Sequence, residues 1–194
     1  MKLVHSLAMT TVAVAALALG AIAAQPTSAQ PMTEKTVMVG GAAMYPKKNI
    51  IQNAVNSKDH TTLVAAVKAA GLVDTLSGPG PFTVFAPTNE AFARLPKGTV
   101  ESLLKPENKD KLVKILTYHV VSANALSTAV NKMIKDDGGK HVIKTVSGGT
   151  LVAMMKGDKI VLHDENEGTA MVTIANVKQS NGVIHVIDHV LLPK

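Results

Sequence analysis

Histidines near carboxylates are the side chains of this sequence that could do chemistry. The closing segment carries His185, Asp188 and His189, and His-x-x-x-His spacing binds a metal when both imidazoles lie on one helix face. Valine and isoleucine surround the pair, which predicts a strand from Val183 to Leu192 instead. Four rises of about 3.3 Å then separate the imidazoles by about 13 Å, too far for one ion. We therefore predict that His185 is a buried, hydrogen-bonded histidine and that Asp188 has a partner or reaches solvent.

A second polar group follows the strand predicted at Lys159 to His163, and it consists of His163, Asp164, Glu165 and Glu167. It could hold a divalent cation loosely, or it could be a solvated acidic loop. Calcium sites take six or more oxygens in a defined order, and no EF-hand spacing is present. We favour the solvated loop and predict no metal and no cofactor.

Hydrolase chemistry finds no matching motif. Ser147 precedes Gly148-Gly149, which is not the Gly-x-Ser-x-Gly turn that exposes a catalytic serine. A hydrolase that uses His163 or His189 is kept as an alternative, but we predict that the protein is not an enzyme and has no catalytic residues.

The composition excludes several classes of function. Cysteine is absent, which rules out disulfides, thiolate catalysis and cysteine-based metal sites. The net charge is +6, but the lysines are scattered and Arg94 is the one arginine. With two tyrosines, three phenylalanines and no tryptophan, the chain also lacks the stacking residues typical of single-strand binding. We predict no nucleic-acid partner.

The chain divides into three predicted parts: a signal peptide at residues 1–29, an extended arm or linker at 30–48 and a folded domain at 49–194. Lys2, an apolar run from Leu7 to Ala24 and the small residues Ser28-Ala29 are typical of a cleaved export signal, with an uncleaved anchor as the alternative. The protein is then exported to a periplasm or to the outside of the cell, with no integral membrane segment once the signal is removed.

The arm contains methionines at six-residue intervals, Met32, Met38 and Met44. Their thioethers could bind a soft metal such as Cu(I), or they could fill gaps where the arm lies on the domain. The absence of histidine and cysteine from the arm favours the second interpretation.

The domain changes its period along the chain. Helices are predicted first, with Asn49, Thr88, Thr99 and Ser127 as candidate caps, Thr61 or Thr62 at the start of the second helix and Gly71 as its stop signal. From His141 onward the period is two, which predicts strands. Gly148-Gly149, Gly157-Asp158 and Asn181-Gly182 provide the predicted turns. Helices followed by antiparallel strands indicate an α+β fold.

Three segments carry a family resemblance. They are Thr83 to Phe92, read as TVFAPTNEAF, the pair Tyr118-His119, and Asn181 to Pro193, read as NGVIHVIDHVLLP. These resemble the signatures of the fasciclin domain, in the family's order, and the resemblance covers Asn49 to Pro193. It implies a wedge of two β-sheets with N-terminal helices packed along one side.

The resemblance also implies contact residues. Tyr118 and His119 lie in a segment implicated in integrin adhesion in animal members, although the helical period alone predicts His119 in the core and Tyr118 near its rim. A second animal motif, Asp-Ile, aligns with Asn176-Val177, which lacks the carboxylate that could meet a receptor-bound cation. We predict Tyr118, His119, Asn176 and Val177 as partner-binding residues.

These inferences lead to a secreted protein that mediates cell adhesion or surface interaction through a non-catalytic surface. The expected partner is a cell-surface or matrix protein or a glycan. The alternative is a periplasmic carrier of a small ligand, lipid or glycolipid in the apolar gap between helices and sheet.

Overall fold

The computed structural model describes residues 36–194, which begin with a small hairpin and continue into a sheet of seven strands. The hairpin strands are β1 (Val37–Val39) and β2 (Ala42–Met44). The sheet strands are β3 (Phe82–Pro87), β4 (Val120–Val121), β5 (Lys140–Lys144), β6 (Thr150–Lys156), β7 (Lys159–His163), β8 (Thr169–Gln179) and β9 (Gly182–Ile187). Their spatial order is β4-β3-β9-β8-β7-β6-β5, and all neighbours are antiparallel except β3 and β9.

Strand β8 is shared by two halves of this sheet. Its first residues pair with β7, as Ala170 does with Leu162, and its later residues pair with β9, as Val177 does with Ile184. Register shifts between these two stretches mark the place where the strand bends. We call β4, β3, β9 and the end of β8 the central half, and the start of β8 with β7, β6 and β5 the outer half. The two halves confirm the predicted α+β wedge of two sheets.

Seven α-helices are described in residues 36–194. They are α1 (Ile50–Ala54), α2 (Thr61–Ala70), α3 (Val73–Ser77), α4 (Asn89–Ala93), α5 (Thr99–Leu103), α6 (Lys109–Tyr118) and α7 (Ser127–Asp136), with 3-10 turns at Lys58–His60 and Pro106–Asn108. Local chemistry sets several of their ends as predicted. The Asn49 side chain accepts from Gln52 N at 2.8 Å, Thr88 accepts from Ala91 N at 3.2 Å, and Gly71 ends α2 with φ 72°.

Two predicted caps are wrong. Thr99 and Ser127 are the first residues of their helices, and Gly98 and Leu126 hold the cap positions. For Ser127 the reason is a residue distant in sequence, because the side-chain oxygen of Asn176 accepts from Ser127 N at 2.8 Å.

Strand ends differ from the prediction in three places. Strand β5 stops at Lys144 because Val146 N donates to Val120 O at 2.8 Å instead of continuing the ladder with β6. The connection to β6 is therefore longer than the predicted two-residue turn at Gly148-Gly149. Strand β9 stops at Ile187 rather than Leu192. At the next residue the Asp188 side chain, instead of the backbone, accepts from Met171 N at 2.7 Å. The last hairpin turns at Ser180-Asn181, one residue before the predicted pair, whereas the predicted turn at Gly157-Asp158 is confirmed.

Two apolar clusters lie on opposite sides of the central half. Val84, Ala86, Ile184 and Val186 point toward the side on which α1, α2 and α6 pack. The alternate residues Phe85 and Ile187 point toward the second cluster, where α7 covers the inner face of the outer half. The N-terminal helices therefore pack along one side, as predicted.

Residues 36–48 contribute to the first of these clusters. Val39 and Met44 are buried in it, whereas the Met38 side chain is 59% exposed. Asn53 is fully buried, and its side chain accepts from Tyr45 N at 3.0 Å and donates to Tyr45 O at 2.8 Å. Met32 and the predicted signal peptide lie outside the described residues, and the division of the chain at residue 49 stays a prediction. Within residues 36–194, the structure contains no helix with the length and apolar character to cross a membrane.

Candidate functional site

Tyr118 is the last residue of α6, and the structure corrects its predicted place near the rim. The side chain is 0% exposed, its hydroxyl donates to Thr150 O at 2.6 Å, and it accepts from Glu165 N at 3.2 Å. The ring lies against Gly149, where an added Cβ would be 2.7 Å from a ring carbon. Burial, followed by the neighbouring carboxylates, raises the pKa of Tyr118 to about 12. Tyr118 therefore joins α6 to the start of β6 and to the loop that follows β7.

His119 follows directly and joins α6 to the C-terminal segment. It is 2% exposed, its Nδ1 lies 2.8 Å from Ile115 O, and its Nε2 lies 3.0 Å from Leu191 N. A neutral ring that donates from Nδ1 and accepts at Nε2 satisfies both contacts. Burial lowers the pKa of His119 to about 4, and the Ile115 carbonyl opposes this only in part. His119 is thus a core residue with both ring nitrogens bonded, as its helical period predicts.

Asn176 and Val177 lie on the bent part of β8. Asn176 is half-buried with φ 60°, and its amide donates to Ser127 Oγ at 2.6 Å in addition to accepting from Ser127 N. Val177 is 1% exposed and belongs to the apolar cluster on the side of α1, α2 and α6. The two Asn176 hydrogen bonds hold the start of α7 on the sheet.

The four predicted contact residues therefore do not form one open surface. Tyr118, His119 and Val177 are buried, and Asn176 alone among them reaches solvent in part. Their role in partner binding stays a prediction. The burial favours a supporting role, in which they position the loops and helix ends around them.

The two histidines that suggested a metal site, His185 and His189, have different hydrogen-bond partners. His185 is buried in β9, with Nε2 2.7 Å from Ala125 O and the ring stacked on Phe85 at a centroid distance of 5.7 Å. Burial lowers its pKa. His189 lies beyond the strand, where its Nδ1 is 2.9 Å from an Asp188 oxygen and its ring is beside Arg94.

Asp188 has the partners that its position requires. Burial acts to raise the pKa of Asp188, but the His189 ring, Met171 N and Arg94 outweigh it and the net pKa is lowered. The hydrogen bonds of His163 and His189 in the described chain involve Thr169, Asp188 and Arg94, with no serine hydroxyl on either ring.

The acidic loop after β7 is organised by its own carboxylates. Asp164 accepts from Gly168 N at 2.6 Å and from Leu192 N at 2.9 Å, and Glu165 accepts from Thr150 N at 2.9 Å. The backbone N–H groups of Thr150 and Lys194 lower the pKa of Glu165. These two carboxylates tie the C-terminal segment to the sheet, rather than standing free in solvent. No cluster of three or more His, Asp or Glu side chains suited to a metal ion occurs in residues 36–194.

A cavity of about 40 Å³ lies between the helices and the central half of the sheet. Its lining residues are apolar, and mostly aliphatic, apart from His60, His119 and Lys68. His60 is 3% exposed; its Nδ1 lies 2.9 Å from Ser57 Oγ, but its Nε2 makes no hydrogen bond. Burial lowers the pKa of His60, with the Ala86 carbonyl and Asp59 acting in the other direction.

Sequence reasoning missed His60. The one available signal is that a serine and a histidine stand three residues apart just before an apolar helix, and that spacing gives no indication of a cavity.

Comparisons with known proteins agree with this architecture. The fasciclin domain family model matches residues 58–193. Protein sll1483 of Synechocystis sp. is 50% identical over 161 residues, which cover 83% of this chain and 82% of that protein. Transforming growth factor-beta-induced protein ig-h3 of Sus scrofa is 37% identical over 131 residues, which cover 68% of this chain and 17% of that longer protein.

A solved structure shares the fold. It is a FAS1 domain pair from the insect cell adhesion molecule fasciclin I, with a TM-score of 0.68 and 18% sequence identity. The match covers 76% of this chain and 52% of that one. At this identity the likeness concerns the fold.

Proposed function

Because the chain belongs to the fasciclin domain family, we propose that it is an exported, non-catalytic scaffold that takes part in adhesion or surface interaction. The expected partner is a cell-surface or matrix protein, a glycan or another component of the cell surface. Fasciclin I, whose FAS1 domain pair shares the fold, is a cell adhesion molecule, which supports this class of function.

The proposal is supported by the hydrogen bonds that the histidine and carboxylate side chains make inside the fold. Both ring nitrogens of His119 are bonded inside the fold, as are the carboxylates of Asp164 and Asp188. Groups that hold loops in place are not available to bind or transform a substrate. What they support is a rigid outer surface, which is the requirement for a binding module with little to reorder on association.

The test is saturable binding to the host's own cell envelope. Labelled protein is titrated onto washed envelope fragments, and the same protein without label is used as competitor. We expect a saturable, competable signal, whereas a linear signal equal to that of an unrelated protein of similar charge would contradict the proposal.

Variants then test the predicted contact residues. Asn176→Ala changes the one predicted contact residue that reaches solvent. If Asn176 contacts the partner, Asn176→Ala weakens envelope binding while the far-ultraviolet circular dichroism stays native. Tyr118→Ala and His119→Ala that fold and bind like the parent would rule out these two as contacts, and loss of folding in both would assign them to the core.

A carrier of a small ligand is the second candidate, favoured by the cavity and the unbonded Nε2 of His60. The volume of about 40 Å³ is far below the roughly 300–1,000 Å³ of typical ligand pockets, so a lipid would require the helices to move. Native mass spectrometry of protein purified from its own host distinguishes the two functions. A retained small molecule that is lost in His60→Phe supports the carrier, and an empty protein contradicts it.

A further inference from the structure

The outer half of the sheet has one face in the core and one face in solvent. Residues alternate along each strand, so that Ile143 and Leu151 are buried while Val142 and Val152 point the other way. The cross-strand register aligns the outward residues in rows: Val142 stands opposite Val152, and Met154 stands opposite Val161. We call the solvent side of β5, β6, β7 and the start of β8 the outer face.

An apolar stripe runs across the outer face. It consists of Val142, Val152, Met154, Val161 and Met171. Val142 is 59% exposed, and Val152, Met154 and Met171 are partly exposed. Val161 is buried without belonging to either core cluster, because it stands between Met154 and Met171 in the ladder. The stripe therefore packs on itself at the surface rather than against another element of the described chain.

Exposed lysines border this stripe, namely Lys140, Lys144, Lys156 and Lys159. Strands β5 to β8 contain no aspartate or glutamate. Lys156 and Lys159 stand directly opposite each other, which is an unfavourable pair in a sheet. Within residues 36–194 none of the four lysines forms an ion pair with a carboxylate. The outer face is thus an apolar stripe bordered by exposed lysines that form no ion pair with a carboxylate of the described chain.

The charge and residue types of the outer face favour one of three possible binding partners: a second copy of the chain, another protein or an anionic lipid surface. A second copy of the chain would place lysines against lysines, which like-charge repulsion opposes. A specific protein partner is usually held by tryptophan, tyrosine or arginine anchors, and the outer face has none of these residue types. An anionic lipid surface needs only distributed positive charge and shallow apolar contact.

We propose that the outer face adsorbs onto an anionic lipid bilayer, with the four lysines at the headgroup charges and the apolar stripe against the interface. The proposal rests on the proposed function, since it names the surface of this scaffold that meets the cell envelope. The contact is peripheral and salt-sensitive, because exposed charges supply most of the attraction.

Vesicle sedimentation tests the proposal. The purified protein is mixed with vesicles of phosphatidylcholine that contain about 30 mol % phosphatidylglycerol, and with vesicles of phosphatidylcholine alone. We expect sedimentation with the anionic vesicles at low salt and little with the neutral ones. Changing all four lysines of the outer face to glutamine abolishes the binding, since each lysine removed weakens it about fivefold. Val142→Thr, which replaces an exposed methyl group by a hydroxyl, weakens it by a smaller factor, about threefold.

A matched variant separates the outer face from net charge. Its changes are Lys97→Gln, Lys105→Gln, Lys109→Gln and Lys111→Gln, at exposed positions on the helical side with the same loss of charge. This variant keeps at least a fifth of the affinity of the parent if the proposal holds. Equal loss in both variants, or no binding to anionic vesicles, overturns it.

The envelope assay distinguishes a failure of the lipid proposal from a failure of the proposed function. Saturable envelope binding without vesicle binding removes the lipid proposal and leaves the proposed function in place. If the parent binds the envelope but not the anionic vesicles, and envelope binding is lost when the four lysines of the outer face are changed, the partner of this face is an acidic protein rather than lipid, and the lipid proposal is wrong. Absence of envelope binding together with vesicle binding contradicts the proposed function alone.

Discussion

Strands β3 and β9 are covered on both faces, whereas β5, β6 and β7 are covered on one. In β9, Ile184 and Val186 face the helices and Ile187 faces the second cluster, so the strand has no solvent side. In β5, Ile143 is buried and its neighbours Val142 and Lys144 are exposed. The same sheet thus contains one region in which every side chain contributes to folding and another in which half of them are free for surface interactions.

The difference explains where polar residues lie. In the doubly covered region, a histidine such as His185 is kept only with its hydrogen bonds completed, because an unbonded buried polar group costs about 1–3 kcal/mol. On the outer face, lysines need no partner inside the protein. Substitutions should therefore separate into large stability effects in the first region and small ones in the second.

The largest expected effect is at Phe85, in the middle of β3. The side chain is 2% exposed and stacks on His185, so Phe85→Ala should lower the free energy of unfolding by about 4 kcal/mol, through lost burial and a cavity. Urea denaturation followed by circular dichroism measures it. Phe85→Leu is the matched control, with a loss of about 1–2 kcal/mol because most of the apolar volume remains. A loss below about 1 kcal/mol for Phe85→Ala would contradict the doubly covered assignment.

The pH dependence of stability should follow from the buried imidazoles of the same region. Burial lowers the pKa of His119 from 6.5 to about 4 and also lowers the pKa of His60 and His185. In that interval the unfolded chain binds protons that the folded chain does not, so the free energy of unfolding falls as the pH falls. His119 alone should account for about 3 kcal/mol between pH about 6.5 and about 4.

Urea denaturation at a series of pH values in this interval tests the assignment. His119→Gln keeps an oxygen that can accept from Leu191 N but cannot titrate, so its stability should change less steeply with pH. Val142→Ala, on the outer face, is the control and should keep the slope of the parent. An unchanged slope in His119→Gln would show that His119 is protonated in the folded state.

The third effect concerns Asn176, at the bend between the two regions. Asn176→Ala removes two hydrogen bonds to Ser127 and leaves at φ 60° a residue that adopts the left-handed conformation less readily than asparagine, and we expect a loss of about 2 kcal/mol. Asn176→Gly loses the same bonds without the backbone strain and should be less destabilised by about 1 kcal/mol. Thermal unfolding of both variants measures the difference. Equal melting temperatures would mean that the backbone conformation at this position costs nothing.

Features set by neighbouring residues were predictable from the sequence. The caps at Asn49 and Thr88, the stop at Gly71 and the hairpin at Gly157-Asp158 depend on chemistry within a few residues, and all four are confirmed. The alternation in β5 to β7 also predicted strands, because a strand covered on one face shows its period directly.

Features set by distant contacts were not predictable in the same way. Nothing in the sequence of β3 and β9 alone indicates their parallel pairing, in which Val84 stands opposite Ile184. The wrong cap at Ser127 has the same origin, because its backbone bond comes from Asn176. Tyr118 was predicted near a rim because its hydroxyl partners, Thr150 and Glu165, come close to it only after folding. The outer face was missed because its lysines lie in three strands and become neighbours through the register.

The smallest effects are expected at two adjacent residues of β5, one buried and one exposed. Ile143 is 7% exposed and Val142 is 59% exposed, although they differ by one methylene and share a strand. Ile143→Val should cost about 1 kcal/mol, because it removes a buried group, whereas Val142→Ala removes more atoms and should cost less than about 0.5 kcal/mol. Parallel urea titrations of the two variants measure both values. If Val142→Ala were the more destabilising change, the outer face would be covered in the folded protein, and the proposed lipid contact would lose its surface.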